Sequence, residues 1–110
     1  MSDPRLNQIR IKTGILKRVA KERMVYEKEV VIERKRLETM KSQLKDEYEL
    51  RKQEEVINEC LTMIPDSIAR TQQAFNDLNT ILQETQSELS ETEVFQTANT
   101  LIQELELIPA

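Results

Sequence analysis

Apolar residues recur every three or four positions along most of the chain, and this spacing constrains the fold more than any other feature. The first seam comprises Ile9, Lys12, Leu16, Val19, Arg23, Tyr26, Val30, Glu33, Leu37, Met40 and Leu44. Most of these positions are apolar, and a 3,4 spacing places them on one face of an α-helix. The seam therefore predicts a long first helix, with Asp3 as its N-cap and Pro4 at its first position.

The chain has only one glycine, Gly14, and this scarcity argues against most folds built from β-sheets. Sheet proteins need several tight turns, which require glycine, asparagine or proline at fixed positions. The 110-residue chain has one glycine and three prolines, too few for an all-β fold. Gly14 falls inside the predicted first helix, where glycine costs about 1 kcal/mol relative to alanine. It is either a tolerated weak point or a place where another helix or chain approaches closely.

A second stripe predicts a second long helix that continues through Pro65. Its positions are Leu50, Ile57, Leu61, Ile64, Ile68, Thr71, Phe75, Leu78 and Leu82. Asp46 and Glu49 resemble a capping box at its start. Proline inside a helix kinks or breaks it, but the stripe keeps its phase across Pro65. We therefore expect one helix with a kink near residues 63–66, the alternative being a break with Asp66 as a new N-cap.

A third, shorter helix follows a polar connector at residues 86–89. Ser90 and Glu93 form a capping box, which predicts Ser90 as the N-cap. The stripe then comprises Val94, Ala98, Leu101, Leu105 and Ile108, and the helix is expected to end before Pro109. With helices at roughly 4–43, 47–85 and 91–108, residues 1–110 are predicted to form one all-α domain. Short connectors favour an antiparallel, up-down-up three-helix bundle, elongated and rod-like, with its second helix kinked at Pro65.

Residue content argues against an enzyme. The chain has no histidine and one cysteine, Cys60, so the commonest general base and the usual zinc ligands are missing. We expect no catalytic residue, no metal site and no bound cofactor, and we interpret Cys60 as a small buried thiol. The sequence has no apolar run long enough to span a membrane and no signal peptide, which favours an intracellular protein.

Charge is divided unevenly, and this predicts a basic binding face on the first helix. Residues 1–52 carry a net charge of +6, whereas residues 53–110 carry −10. Helical phasing places five basic residues opposite the first seam: Arg10, Lys17, Lys21, Lys28 and Lys35. Such a face suits an acidic partner. The alternative is that these charges only flank acidic neighbouring helices within the bundle.

Four apolar residues share this outer face: Met24, Val25, Val31 and Ile32. Met24 and Val31 are seven residues apart, as are Val25 and Ile32, so each pair lines up along the helix. If exposed, they form an apolar patch rimmed by lysines, which is typical of a binding surface. Self-association could use the same patch, and the alternative is that the bundle buries it.

The order of short motifs resembles the tubulin-binding cofactor A family. In the first helix they are Asp3-Pro4-Arg5, residues 8–14 (QIRIKTG), Leu16-Lys17-Arg18 and Tyr26-Glu27-Lys28-Glu29. In the second they are residues 52–56 (KQEEV) and Met63-Ile64-Pro65-Asp66. The apolar run Val30-Val31-Ile32 departs from the family pattern and leaves monomer or homodimer open.

The resemblance implies a function. Members of this family are three-helix bundles without nucleotide or metal. They capture β-tubulin folding intermediates after the cytosolic chaperonin and pass them, through other tubulin-folding cofactors, toward heterodimer assembly. The resemblance thus implies a cytoplasmic, cytoskeleton-associated chaperone that binds neither nucleic acid nor membrane.

Two other classes compete with this interpretation. Nucleic-acid binding would use the basic first helix, but that helix also carries six acidic residues before residue 46. A generic coiled-coil scaffold or tethering protein would favour a parallel, extended assembly, and an antiparallel bundle would oppose it.

Overall fold

The structure is a computed structural model that describes residues 3–106. The predicted stripe position Ile108 and the predicted helix end before Pro109 lie outside this range. Three helices account for nearly all of the described residues, which contain no strand: α1 (Pro4–Ser42), α2 (Glu47–Leu89) and α3 (Glu93–Glu106). The all-α, three-helix prediction is confirmed.

The first two helices begin at the predicted caps. The backbone N–H of Arg5 donates to Asp3 Oδ1 at 2.9 Å, and that of Glu49 donates to Asp46 Oδ1 at 2.8 Å. Each carboxylate therefore accepts a hydrogen bond from a backbone amide that has no partner within its own helix.

Helix α1 ends in a Schellman motif rather than continuing the seam to Leu44. The N–H of Leu44 donates to Lys41 O, and that of Lys45 donates to Met40 O, both at 3.1 Å. Leu44 has a φ of 57°, the left-handed conformation that this motif requires. Its side chain is 90% exposed, so the prediction that Leu44 closes the seam is wrong.

Helix α2 is continuous through Pro65, so the alternative of a break at Asp66 is wrong. It also runs four residues beyond its predicted end, because the supposed connector at 86–89 is its last turn and Leu89 is buried. The N-cap of α3 consequently lies later in the sequence than predicted. Phe95 N–H donates to Thr92 Oγ1 at 3.2 Å, so Thr92, not Ser90, is the N-cap.

The described residues divide into two compact units, one containing residues 3–20 and 69–106 and the other residues 21–68. The first holds the main hydrophobic core, to which all three helices contribute. Its buried members are Ile9, Leu16, Val19, Ala74, Leu78, Ile81, Leu82, Leu89, Phe95, Ala98 and Ile102. In α3 the most buried positions include Phe95 and Ile102, which the predicted stripe omitted, whereas Leu101 and Leu105 are only partly buried. Phe75 is likewise partly buried against this core.

The second unit consists of the C-terminal half of α1 and the N-terminal half of α2, joined by the turn at residues 43–46. Its buried apolar side chains are Val30 and Ile57, 5% and 7% exposed. Gln53 is also buried, and its Nε2 donates to Glu33 O at 2.9 Å and to Glu33 Oε2 at 2.6 Å. Two helices bury only a narrow strip of each other, so Leu61, a predicted core position, is 37% exposed.

Candidate partner-binding surface

The five basic residues predicted to face away from the seam are all exposed. Arg10 and Lys17 belong to the first unit, and Lys21, Lys28 and Lys35 to the second. Within residues 3–106, none of the five forms an ion pair within 4.0 Å. Their charges therefore remain available to a partner in solution.

The apolar patch is exposed as well. Met24 is 49% exposed, Val25 43%, Val31 53% and Ile32 55%. The alternative that the bundle buries these four residues is therefore wrong for this chain. Apolar side chains that stay half in water gain free energy when a partner covers them.

Basic and apolar residues form three parallel columns on the second unit's part of α1. At 100° per residue, Lys21, Lys28 and Lys35 form the central column. Met24 and Val31 lie on one side, and Val25 and Ile32 on the other. We call these seven residues the α1 outer face. Met24, Glu27, Lys28, Val31 and Ile32 border a shallow surface depression there.

Not every basic residue of α1 is available for binding. Arg5 Nη2 lies 2.6 Å from Asp3 Oδ2 and 2.6 Å from Glu88 Oε2, which ties the start of α1 to the end of α2. The hydrogen bonds from Arg5 lower the pKa of Asp3, and those to Asp3 and Glu88 raise the pKa of Arg5. Arg5 therefore stabilises the fold through these ion pairs, whereas the five exposed basic residues form none within the described range.

Three exposed residues near the start of α1 were not among the predicted site residues. Ile11 is 55% exposed and Ile15 38%, although both are large and apolar. Gly14 lies between them, and a Cβ atom built there would meet no heavy atom within 4 Å. The signal in the sequence was a pair of isoleucines four residues apart and outside the seam.

Comparison with known proteins identifies the family. The sequence profile described as "Tubulin binding cofactor A" matches residues 4–102, nearly all of the chain. A chicken (Gallus gallus) protein named "Tubulin-specific chaperone A" is 42% identical over 97% of this chain and 98% of its own length. This chain belongs to the tubulin binding cofactor A family.

Solved structures of cofactor A proteins have the same fold. The crystal structure of tubulin folding cofactor A from Arabidopsis thaliana matches with a TM-score of 0.86 and 34% identity, covering 94% of this chain and 96% of that one. The human tubulin chaperone cofactor A matches with a TM-score of 0.80 and 38% identity, covering 94% and 100% respectively. The resemblance inferred from the sequence motifs is therefore confirmed at the level of both sequence and fold.

The described surroundings of Cys60 disfavour the reactive form of its thiol. The thiol is half-buried beside Tyr26, Glu29 and Met63, and burial, followed by the charge of Glu29, raises its pKa. A raised pKa disfavours the thiolate, which is the nucleophilic form.

Within residues 3–106, no group of three or more histidine, cysteine or acidic side chains could hold a metal ion. Along the same range, no helix combines the length and apolar character needed to cross a membrane.

Proposed function

We propose that this protein is a tubulin chaperone that captures β-tubulin folding intermediates after the cytosolic chaperonin. It passes them, through other tubulin-folding cofactors, toward assembly of the tubulin heterodimer. Membership of the cofactor A family is the observation that carries this proposal. In keeping with this role, the protein acts in the cytoplasm, in association with the cytoskeleton.

The α1 outer face is the proposed contact with the client. Tubulin is acidic, and the central column of Lys21, Lys28 and Lys35 attracts an acidic surface over several ångströms. The flanking Met24, Val25, Val31 and Ile32 supply apolar area that a partner can cover. A partly folded client exposes both kinds of surface, because its own apolar core is not yet closed.

The geometry suits a carrier rather than an enzyme. Contact along a helix needs no pocket, and a mixed basic and apolar surface binds reversibly because its lysines are solvated and screened by salt. Release to a later cofactor then requires no chemical step. In the first unit Arg5 pairs with Glu88 and Thr71 donates to the carbonyl of Val19, so α1 and α2 run antiparallel there, which argues against the parallel scaffold alternative.

A capture experiment tests the proposal. β-Tubulin released from the cytosolic chaperonin is mixed with the purified chain, and complexes are separated by size-exclusion chromatography. We expect co-elution with β-tubulin and little with assembled tubulin heterodimer, in which the client is already folded and paired. Failure to retain β-tubulin at micromolar concentrations of both proteins would refute the proposed function.

A further inference from the structure

Gly14 lies inside α1, and nothing in the described part of the fold requires a glycine at this position. Its φ is not positive, so the backbone there does not require glycine. A Cβ at this position would enter open space, so no neighbouring helix requires glycine either. Glycine is the least favourable helix-interior residue after proline, and alanine would strengthen α1 at no steric cost within the chain. Of the two explanations that the sequence offers, close approach therefore calls for a partner beyond the described residues of this chain.

The residues around Gly14 on the helix surface form a basic and apolar rim. Positions three and four residues away in each direction are its surface neighbours, and here they are Arg10, Ile11, Lys17 and Arg18. All four are exposed. At Gly14, between them, no side chain covers the helix backbone, and we call these five residues the Gly14 rim.

Along this stretch of α1 itself the charged residues have one sign, although Glu93 of α3 lines a surface pocket together with Arg10. From Pro4 to Lys21 the sequence contains six basic residues and no acidic one. Arg10, Lys17 and Arg18 are exposed and form no ion pair within residues 3–106. A partner that covers the Gly14 rim is favoured if it brings negative charge, because it then compensates the cations that it removes from water.

Because Gly14 has no side chain, an elongated partner element can approach the backbone of α1 closely there. Small residues allow two helices to pack with their backbones close together, since no side chain separates them. Ile11, 55% exposed, and the adjacent Ile15, 38% exposed, can flank such an element with apolar contact. A second copy of this chain would bring two basic rims together, which like-charge repulsion opposes.

We propose that the Gly14 rim is a docking site for an acidic helix of the client. The helix packs its backbone against Gly14, its carboxylates pair with Arg10, Lys17 and Arg18, and Ile11 contacts its apolar side. This inference rests on the proposed capture of β-tubulin and adds a contact in the first unit. Gly14 is thus explained as a position where close approach of a partner outweighs helix stability.

Two substitutions and a matched control test the docking site. Gly14→Ala adds one methyl group and Gly14→Gln a full side chain, without a change in charge. Because both replacement residues favour helix, both variants are expected to melt a few degrees above the wild type. Ala69→Gln, at an exposed position of α2 in the same unit, adds a side chain away from the rim.

Binding of chaperonin-released β-tubulin is then measured for all four proteins. We expect Gly14→Gln to weaken binding about tenfold or more, as for a central interface residue, with Gly14→Ala intermediate and Ala69→Gln equal to wild type. Wild-type binding by a well-folded Gly14→Gln variant would overturn the docking site and leave the proposed function standing. Absence of binding by the wild-type chain would instead overturn the proposed function, and the docking site with it.

Discussion

Leu44 occupies a backbone conformation that few residues tolerate. Its φ of 57° is the only positive value among the described non-glycine residues, and its side chain is 90% exposed. The left-handed region costs an L-residue about 1–2 kcal/mol, and an exposed leucine side chain recovers little of that through packing. The turn between α1 and α2 therefore stores strain that its hydrogen bonds to Lys41 and Met40 must offset.

Leu44→Gly is expected to stabilise the protein by about 0.5–1 kcal/mol, since relief of strain exceeds the added freedom of glycine in the unfolded chain. Urea unfolding followed by circular dichroism measures the change. Leu44→Ala is the control, because alanine keeps the strain while removing the exposed side chain. Equal stability of the glycine and alanine variants would show that the left-handed conformation carries no cost here.

Asp3 combines a helix cap with an ion pair, and its titration gives a pH-dependent contribution to stability. Hydrogen bonds from Arg5 lower the pKa of Asp3 below its ordinary value of 3.8. A carboxyl whose pKa is lower in the folded state stabilises the fold above the unfolded pKa. That contribution is lost as the pH falls through the folded pKa.

Asp3→Asn keeps a capping side chain but removes the charge. We expect the variant to melt below the wild type at pH 7. The difference should shrink as the pH falls from 3.8 through the lower pKa of the folded state, because Asp3 is protonated first in the unfolded chain and then in the folded chain. Thermal melts from pH 7 to pH 2 measure this. A melting-temperature difference that stays constant over the whole range would contradict the assigned role of the Asp3 charge.

Helix α2 contains Pro65 in its interior, and the bend expected there stays a prediction. Pro65 has no N–H to donate to the carbonyl of Leu61, and its ring crowds that carbonyl. The helix nevertheless continues on both sides, so the local cost is offset by packing of the flanking turns.

Pro65→Ala is expected to raise stability by about 1–3 kcal/mol and to increase helicity, because the missing hydrogen bond is restored and the ring clash removed. Circular dichroism during urea unfolding measures both quantities. Asn58→Ala, at an exposed position of the same helix, is the control and should gain only about 0.5 kcal/mol from helix propensity. A Pro65→Ala variant less stable than wild type would mean that packing depends on the bend.

The helices illustrate what the sequence could predict and what it could not. The long seams predicted α1 and α2 because a 3,4 repeat sustained over many turns has no other common structural reading. The end of α2 was misplaced because Ser90 and Glu93 form a plausible capping box whose N-cap lies two residues before the observed one, Thr92. The choice of Thr92 depends on burial of Leu89, a tertiary contact that no local signal encodes.

The buried apolar residues are distributed unevenly between the two units. One unit contains the buried cluster of three helices, whereas the other buries only Val30 and Ile57 among its apolar side chains. The α1 outer face belongs to this second unit. Two helices alone leave most of their surface in water, so a unit of this kind can offer a long binding face.

The candidate surface was partly predictable. Helical phasing from the seam correctly placed the lysine column and the four apolar residues of the outer face on the solvent side. It did not assign a role to Ile11 or Ile15, because a seam shows which positions are buried and not how exposed the others are. The sequence could not show whether Gly14 contacts another helix of the same chain, because the spacing of apolar residues does not indicate which helices approach each other closely.

The α1 outer face is the surface proposed to capture the client. Lys21→Glu, Lys28→Glu and Lys35→Glu together change the net charge from −4 to −10. The three sites are exposed, so each should alter stability by no more than about 0.5 kcal/mol. The matched control is Arg34→Glu, Lys41→Glu and Lys45→Glu, with the same net charge at exposed sites outside this face.

Affinity for chaperonin-released β-tubulin at low and high salt decides the question. We expect the outer-face triple variant to bind at least about tenfold more weakly than wild type at low salt, with a smaller deficit at high salt, where charges are screened. The control variant should stay close to wild type. An equal loss of affinity in both variants would show that only the net charge matters. Wild-type affinity in a folded outer-face variant would contradict capture of the client through the α1 outer face.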